Sequence, residues 1–390
     1  MNVAIVHEWL TDFAGAENVL EQMFSVTHPS RLFTLVDHMA RGRKPFLDSV
    51  PVETSLIQKL PFSRNRYRGY LPLMPMAIEQ LDVTGFDMVV SSHYCVAHGV
   101  LTRPDQPHLA YTHSPVRYAW DLQHQYLDET GISRSRMKNV FARAILHYIR
   151  QWDHVAGQRP DFYSCNSRFI ARRIAKYYRR TARVIYPPVD VDRFQPGPSQ
   201  REDYYVTASR MVPYKKISLI VKAFSRMPGR RLIVIGSGPE EERIRQGAGA
   251  NISFLGYQSN DVLHEHLRHA RAFVFAALED FGILPVEAQA CGTPVIALGH
   301  GGTAETVIDG ETGVLFEEQT VDSLKAAIQR FEDLRGQLDA ERIRVHAEQF
   351  STSVFRHEFA NFIDQSLEEF HKGQSRSARE TKMLFSRTGT

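Results

Sequence analysis

Short apolar runs alternate with segments of helical periodicity along nearly the whole chain, and this alternation restricts the fold more than any other feature of the sequence. Residues 2–6, 32–36, 86–90, 108–112, 162–165 and 183–186 read as strands, rich in β-branched and aromatic side chains. Residues 204–209, 231–235, 252–255, 273–276 and 294–297 continue the series. Helical patterns fall between them, at 17–24, at 217–227, after Ser167 as an N-cap, and from Pro239. Strands that are apolar throughout are covered on both faces. A β–α alternation of this length therefore implies an α/β fold of parallel, doubly wound sheets. Such sheets bind ligands beyond the carboxyl ends of their strands. Chemistry is thus expected in the loops after His7, Thr112, Ser209, Ile235, Ala277 and Leu298.

A chain of 390 residues exceeds a single hydrophobic core, so two domains are expected. Tyr186-Pro187-Pro188-Val189-Asp190 marks the break, because two prolines stop the preceding strand, and residues 195–199 add a linker signal. The expected domains are 1–187 and 188–352, followed by a helix over 353–372 and a disordered polar tail over 373–390. Lys plus Arg at 47 nearly balance Asp plus Glu at 44, which argues against nucleic acid as a partner. Three widely separated cysteines give neither a disulfide framework nor zinc spacing. The first residues lack the features of a signal peptide, and no stretch approaches the roughly 20 apolar residues of a membrane span. A cytoplasmic protein is expected. Residues 60–73, 134–152 and 168–180 mix basic with aromatic and aliphatic residues, which suggests peripheral contact with the inner face of the plasma membrane.

The strongest local signal is Glu279-Asp280-Phe281-Gly282-Ile283-Leu284-Pro285-Val286-Glu287-Ala288. A strand ends before it, Pro285 suits a first helical turn, and Gly282 allows close backbone approach. Free N–H groups at that helix start can receive a diphosphate or a sugar hydroxyl. The run resembles the signature of the family 4 glycosyltransferases, the retaining GT-B enzymes related to glycogen synthase, in which two glutamates are separated by seven residues. Gly292-Thr293-Pro294-Val295 extends the likeness. By this resemblance Glu287 binds the ribose hydroxyls of a nucleotide-sugar donor, Glu279 contacts the donor sugar, and Gly282, Ile283 and Leu284 belong to the donor site.

Ser209-Arg210-Met211-Val212-Pro213-Tyr214-Lys215-Lys216 supplies cations after the first strand of the second domain. A departing nucleoside diphosphate develops negative charge, which fixed cations stabilise. Arg holds phosphate oxygens bidentately and Lys acts as a point charge. Relatives carry glycine after the lysine where this chain has Lys216. Arg210 and Lys215 are the expected catalytic cations, with Lys216 in the donor site. The resemblance makes His113, in Tyr111-Thr112-His113-Ser114-Pro115, a further catalytic residue that hydrogen-bonds the donor sugar. Arg117, Tyr118 and Trp120 are expected on the acceptor side. Gly15, at the start of a helix after the first strand, is a further phosphate contact. Gly301-Gly302-Thr303-Ala304-Glu305 resembles the family's glycine-rich loop, and Gly236-Ser237-Gly238 is a partial glycine fingerprint.

The resemblance implies two Rossmann-like domains facing a cleft, with the final helix crossing back to the first. It implies a hexosyltransferase that needs no metal or other cofactor. The His7-Glu8-Trp9-Leu10 opening, the Thr112 to Asp121 run and the Arg210 to Lys216 run resemble bacterial mannosyltransferases that build O-antigen or exopolysaccharide from GDP-mannose. A UDP-sugar donor and a GT-B nucleotide-sugar epimerase stay open as alternatives. The acceptor expected from the resemblance and the basic segments is a glycan, linked to a lipid such as polyprenyl diphosphate.

Overall fold

The computed structural model describes residues 1–40, 42, 45–197 and 201–387. The chain divides into two compact units, one of Met1–Ile185 with the segment from Phe355, the other of Tyr186–Val354.

The first unit is built on β1 (Val3–His7), β2 (Arg31–Thr34), β3 (Val52–Thr54), β4 (Met88–His93), β5 (His108–Thr112), β6 (Phe162–Cys165) and β7 (Arg183–Val184). They pair in the order β3-β2-β1-β4-β5-β6-β7, and every pairing is parallel. Alternation along each strand divides the core. Val3, Ile5, Leu32, Met88, Val90, Leu109 and Tyr111 pack with the helix Gly15–Thr27 and with Phe355, Phe359, Phe362 and Ile363 of the final helix. Ala4, Val6, Phe33 and Val89 face the other way, onto Ile57, Ala77 and Ile78.

The second unit carries β8 (Tyr205–Ala208), β9 (Leu232–Ile235), β10 (Ile252–Gly256), β11 (Ala272–Phe275), β12 (Val295–Leu298) and β13 (Gly313–Phe316), in the parallel order β10-β9-β8-β11-β12-β13. Val206, Phe273, Phe275 and Val295 pack with Val286, Ala290 and Phe350. Tyr205, Val234, Val274 and Ile296 pack with the helices Ile217–Ser225 and Val321–Leu334. Strand order reverses between β1 and β4 in the first sheet and between β8 and β11 in the second. These are the two switch points at which doubly wound sheets open a crevice.

Several expectations need correction. The strands β3 and β13 fall outside the expected set: Val52–Thr54 is three residues long with a single apolar side chain, and Gly313–Phe316 is a four-residue run led by glycine. Pro239 lies in a turn, and the helix after it is Glu241–Gln246. Residues 195–197 pack within the second unit rather than forming a linker, with the Gly197 N–H on the Cys291 carbonyl at 3.3 Å. Pro198 and Ser199 of that expected linker lie outside the described residues. The final helix runs Thr352–Arg387, beyond residue 372 and into the segment expected to be disordered. That segment contains no proline to stop it. The last three residues of the expected tail lie outside the described ones.

The helix Arg168–Tyr177 is capped by Ser167, whose Oγ accepts the Ile170 N–H at 3.1 Å. Its apolar face, Ile170 and Ile174 with Tyr178, is buried in the first unit, and Phe169 and Tyr177 are partly buried. No described helix is long and apolar enough to cross one.

Candidate functional site

Loops after β8 and β11 meet at the switch point of the second sheet. The first holds Arg210, Lys215 and Lys216. The Met211 N–H donates to the Ser237 carbonyl at 2.9 Å and the Glu240 N–H to the Met211 carbonyl at 3.1 Å. A Cβ at Gly236 or Gly238 would collide with the carbonyls of Ser209 or Met211. The partial glycine fingerprint after β9 is therefore a seat for the cationic loop. Pro213–Lys215 forms a 3-10 turn, and Lys216 caps the next helix in the left-handed region, with φ of 57°. That conformation explains why glycine is usual there.

The loop after β11 is held by a second glycine pair. The Gly302 N–H donates to the Glu279 carbonyl at 2.8 Å. A Cβ at Gly301 or Gly302 would strike the backbone of Glu279 or Phe281. Glu279 is thereby aimed across the switch point, and Lys215 Nζ lies 2.6 Å from its Oε1. Both side chains are mostly buried, at 21% and 15% exposure. Lys215 Nζ also lies 5.6 Å from the Tyr214 ring centroid and 6.0 Å from that of Phe275. Arg210 is exposed, and no hydrogen bond or ion pair of its side chain is found among the described residues.

Gly282, with φ of 91°, turns the chain into the helix Ile283–Ala290, which has no side-chain cap. The N–H groups of Ile283 and Leu284 are therefore available to an anion or a hydroxyl, whereas Pro285 has none. Glu287 lies one turn further on, partly buried. Burial pushes its carboxyl up to about 7; Arg193 pulls against this and Asp190 adds to it. Sequence reading missed both of these neighbours, which follow the interdomain prolines. Glu305 accepts a bond from Tyr186 Oη at 3.2 Å.

In the first unit, His113 follows β5 directly. Its Nε2 lies 2.9 Å from Ser92 Oγ, and its backbone N–H donates to the His93 carbonyl at 2.8 Å. Burial, with His7 and His93 nearby, lowers its pKa to about 3, so the ring is neutral at physiological pH. Gly15 opens the helix Gly15–Thr27, but the carboxylate of Glu17 already reaches back to the Ala14 N–H at 2.9 Å. Any phosphate at that helix start would share it with a negative charge.

Glu8, quoted above only as part of the His7 to Leu10 run, has a role that sequence reading did not assign. Its buried Oε1 accepts the N–H groups of Tyr94, Cys95, Val96 and Ala97 at 3.0, 2.6, 2.8 and 3.0 Å. Burial opposes its charge, but the His93 bond and the Ala97 and Val96 amides outweigh it and hold the carboxyl below its ordinary range. It locks the end of β1 to the turn after β4. Only an acid following a strand end hinted at this.

His93, His98 and Asp153 are buried with ligand-type atoms within 4.8 Å of one another. Protein partners engage this cluster. His93 Nδ1 lies 2.9 Å from His98 Nδ1, and His93 Nε2 lies 3.3 Å from Tyr178 Oη. Asp153 accepts bonds from Tyr178 Oη at 3.0 Å and Trp120 Nε1 at 2.7 Å. Trp120 also stacks on Tyr177 at 4.4 Å, and Tyr118 Oη lies 3.1 Å from Cys95 Sγ. Trp120 and Tyr118 are partly buried and hold these protein partners.

Two family models match this chain: "Glycosyltransferase Family 4" over residues 28–193 and "Glycosyl transferases group 1" over 189–349. Among curated proteins, it is 32% identical over 204 residues to a GDP-mannose-dependent alpha-(1-6)-phosphatidylinositol monomannoside mannosyltransferase of Mycolicibacterium smegmatis, covering 44% of this chain and 53% of that protein. It is 35% identical over 153 residues to a D-inositol 3-phosphate glycosyltransferase of Mycobacteroides abscessus, covering 34% of each. The chain spans about half the length, or less, of these curated relatives. Among solved structures, the sucrose-phosphate synthase of Thermosynechococcus elongatus matches with a TM-score of 0.71 at 18% identity, over 95% of this chain and 100% of that one. The Anabaena Alr3699/HepE protein in complex with UDP matches with a TM-score of 0.69 at 16% identity, over 94% and 100%.

Proposed function

Given that the chain belongs to the family 4 glycosyltransferases of GT-B fold, we propose that it is a retaining hexosyltransferase whose donor site is the switch point of the second sheet. The observation that carries this reading is the 2.6 Å contact of Lys215 with Glu279 at the ends of the adjacent strands β8 and β11. One cation and one carboxylate, fixed side by side by glycine-packed loops, suit a ligand that is anionic at one end and hydroxylated at the other.

In this reading the donor diphosphate takes the Lys215 ammonium, Arg210 and the Ile283 and Leu284 amides. Glu279 then accepts a sugar hydroxyl, and Glu287 accepts the ribose hydroxyls. As the glycosidic C–O bond breaks, charge builds on the leaving phosphate, where the fixed cation stabilises it. The acceptor hydroxyl attacks from the same face, and its proton passes to the leaving phosphate oxygen. His113, neutral, offers a hydrogen bond without adding charge. These cations make a divalent ion unnecessary.

The donor proposed is GDP-mannose, supported by the name of the mycobacterial relative and by the runs that resemble mannosyltransferases. The test is a panel of GDP- and UDP-sugars, with slow donor hydrolysis and product anomeric configuration as readouts. GDP-mannose should turn over fastest, with retention, and EDTA in large excess over trace metal should leave the rate unchanged. A strict metal requirement would contradict the role given to Lys215 and Arg210. Epimerised product from donor alone would identify an epimerase.

The acceptor proposed is a lipid-linked glycan at the cytoplasmic face of a membrane. The helix Arg136–Ala156 buries Leu146, Ile149, Asp153 and Ala156 and leaves Met137 and Phe141 83% and 68% exposed, with Val140 and Tyr148. Arg134, Arg136, Lys138 and Arg143 are also on the surface there. An exposed apolar stripe among basic residues suits an anionic bilayer. Flotation with vesicles containing phosphatidylglycerol should carry the protein upward, and Met137→Glu/Phe141→Glu should leave it at the bottom. Equal flotation of both proteins would remove this helix as the contact.

A further inference from the structure

A chain of hydrogen bonds runs beneath His113 across three neighbouring strands. His113 Nε2 lies 2.9 Å from Ser92 Oγ, Ser92 Oγ lies 3.0 Å from His7 Nδ1, and His7 Nε2 lies 3.4 Å from Glu17 Oε1. His7 ends β1 and is registered with Ser92 on β4, and His113 follows β5. His7 and Ser92 are fully buried and Glu17 is nearly so. Glu17 holds its place through its other oxygen, on the Ala14 N–H at 2.9 Å.

The direction of each bond follows from the carboxylate end. An ionised carboxylate only accepts, so His7 Nε2 carries the proton it shares with Glu17. A ring carrying that one proton has a bare Nδ1, which faces Ser92 Oγ at 3.0 Å. The Ser92 hydroxyl then donates to His7 Nδ1, and its oxygen accepts from His113 Nε2–H. His113 Nδ1 is left with a lone pair, and no partner for that atom is found among the described residues. We propose that Glu17, His7 and Ser92 are positioning residues that hold His113 in the Nε2–H tautomer. Its Nδ1 is thereby an acceptor for a hydroxyl of the bound sugar. The consequence for catalysis rests on the reading of His113 above, but the tautomer itself does not.

The test is long-range proton–nitrogen NMR of the ligand-free protein with 15N-labelled histidine rings, His113 being assigned from its absence in His113→Gln. The wild type should show His113 protonated at Nε2 and bare at Nδ1. Glu17→Gln keeps the bond to Ala14, since glutamine serves in a capping box as glutamate does. Its amide oxygen takes the Ala14 N–H and its NH₂ faces His7 Nε2, so every donor in the chain reverses. His113 should become protonated at Nδ1, and kcat should fall by roughly 10- to 100-fold with KM changed much less, as for other outer partners that orient a histidine. Ser92→Ala should leave a mixture of tautomers. A wild-type His113 protonated at Nδ1, or one unaltered by Glu17→Gln, overturns the proposal. Full activity in His113→Gln with the expected spectra would instead refute the role of His113 in the reaction while leaving the relay standing.

Discussion

Replacing Lys215 by alanine is expected to lower kcat by about 10²- to 10³-fold, the usual cost of removing one preorganised charge-stabilising group from a transition state. The loss should appear in kcat more than in donor KM, because charge on the departing phosphate is greatest as the bond breaks. The same change strands Glu279, which is only 15% exposed, without its ion partner. Stability should fall by roughly 1–3 kcal/mol, read as a lower Tm, since a mostly buried carboxylate then lacks its cation. Glu279→Gln added to Lys215→Ala should restore most of the Tm and none of the turnover. This separates the folding role of the pair from its catalytic one. Wild-type kcat in Lys215→Ala would remove the lysine from the reaction.

The second large effect concerns Glu287, whose carboxyl is pushed up to about 7 by burial. Gripping two ribose hydroxyls as a carboxylate requires the proton to leave. Nucleotide affinity should therefore fall as pH drops through 7, by about tenfold at pH 6 relative to pH 8. Glu287→Ala should weaken binding by about 10- to 100-fold at pH 8, the range for losing hydrogen bonds to a charged group. The stability effect has the opposite sense. The folded pKa lies above the unfolded one, so the folded chain binds the proton more tightly. Stability from this group is present below about 4.5 and is lost as pH rises toward 7. Glu287→Gln removes that loss, so at pH 8 it should be more stable than the wild type by roughly 3 kcal/mol, read as a higher Tm, and the two should match near pH 4. Calorimetry at the two pH values, with nucleotide titration beside it, checks both signs. A Glu287→Gln protein that is less stable at pH 8 would contradict the strained carboxylate.

Strand positions were legible where apolar residues were dense, as at His108–Thr112 and Phe162–Cys165, whose observed bounds match the expected ones. The donor loops were legible because chemistry at the ends of parallel strands uses adjacent residues. The pairing of Lys215 with Glu279 was not legible from spacing alone; it depends on β8 and β11 becoming neighbours although all of residues 209–271 lie between them, a strand order that local periodicity does not specify. Glu8 and Ser92 escaped notice for the same reason. The amides that Glu8 accepts and the His7 ring that Ser92 meets lie more than 80 positions away in sequence. The Trp120 bond was not legible because an aromatic in a strand-end loop gives no sign that Asp153, on a later helix, will take its indole N–H.

The final helix gives the first unit part of its core, since Phe355, Phe359, Phe362 and Ile363 pack beside Val3, Ile5 and Tyr111. During synthesis these residues emerge after the whole of the second unit. The nascent first half must wait with an open apolar surface while the second unit, contiguous from Tyr186 to Val354, can close on its own. Maturation therefore runs against the order of translation, and a message truncated just before Phe355 would yield a chain whose later-made half is folded and whose earlier-made half is not.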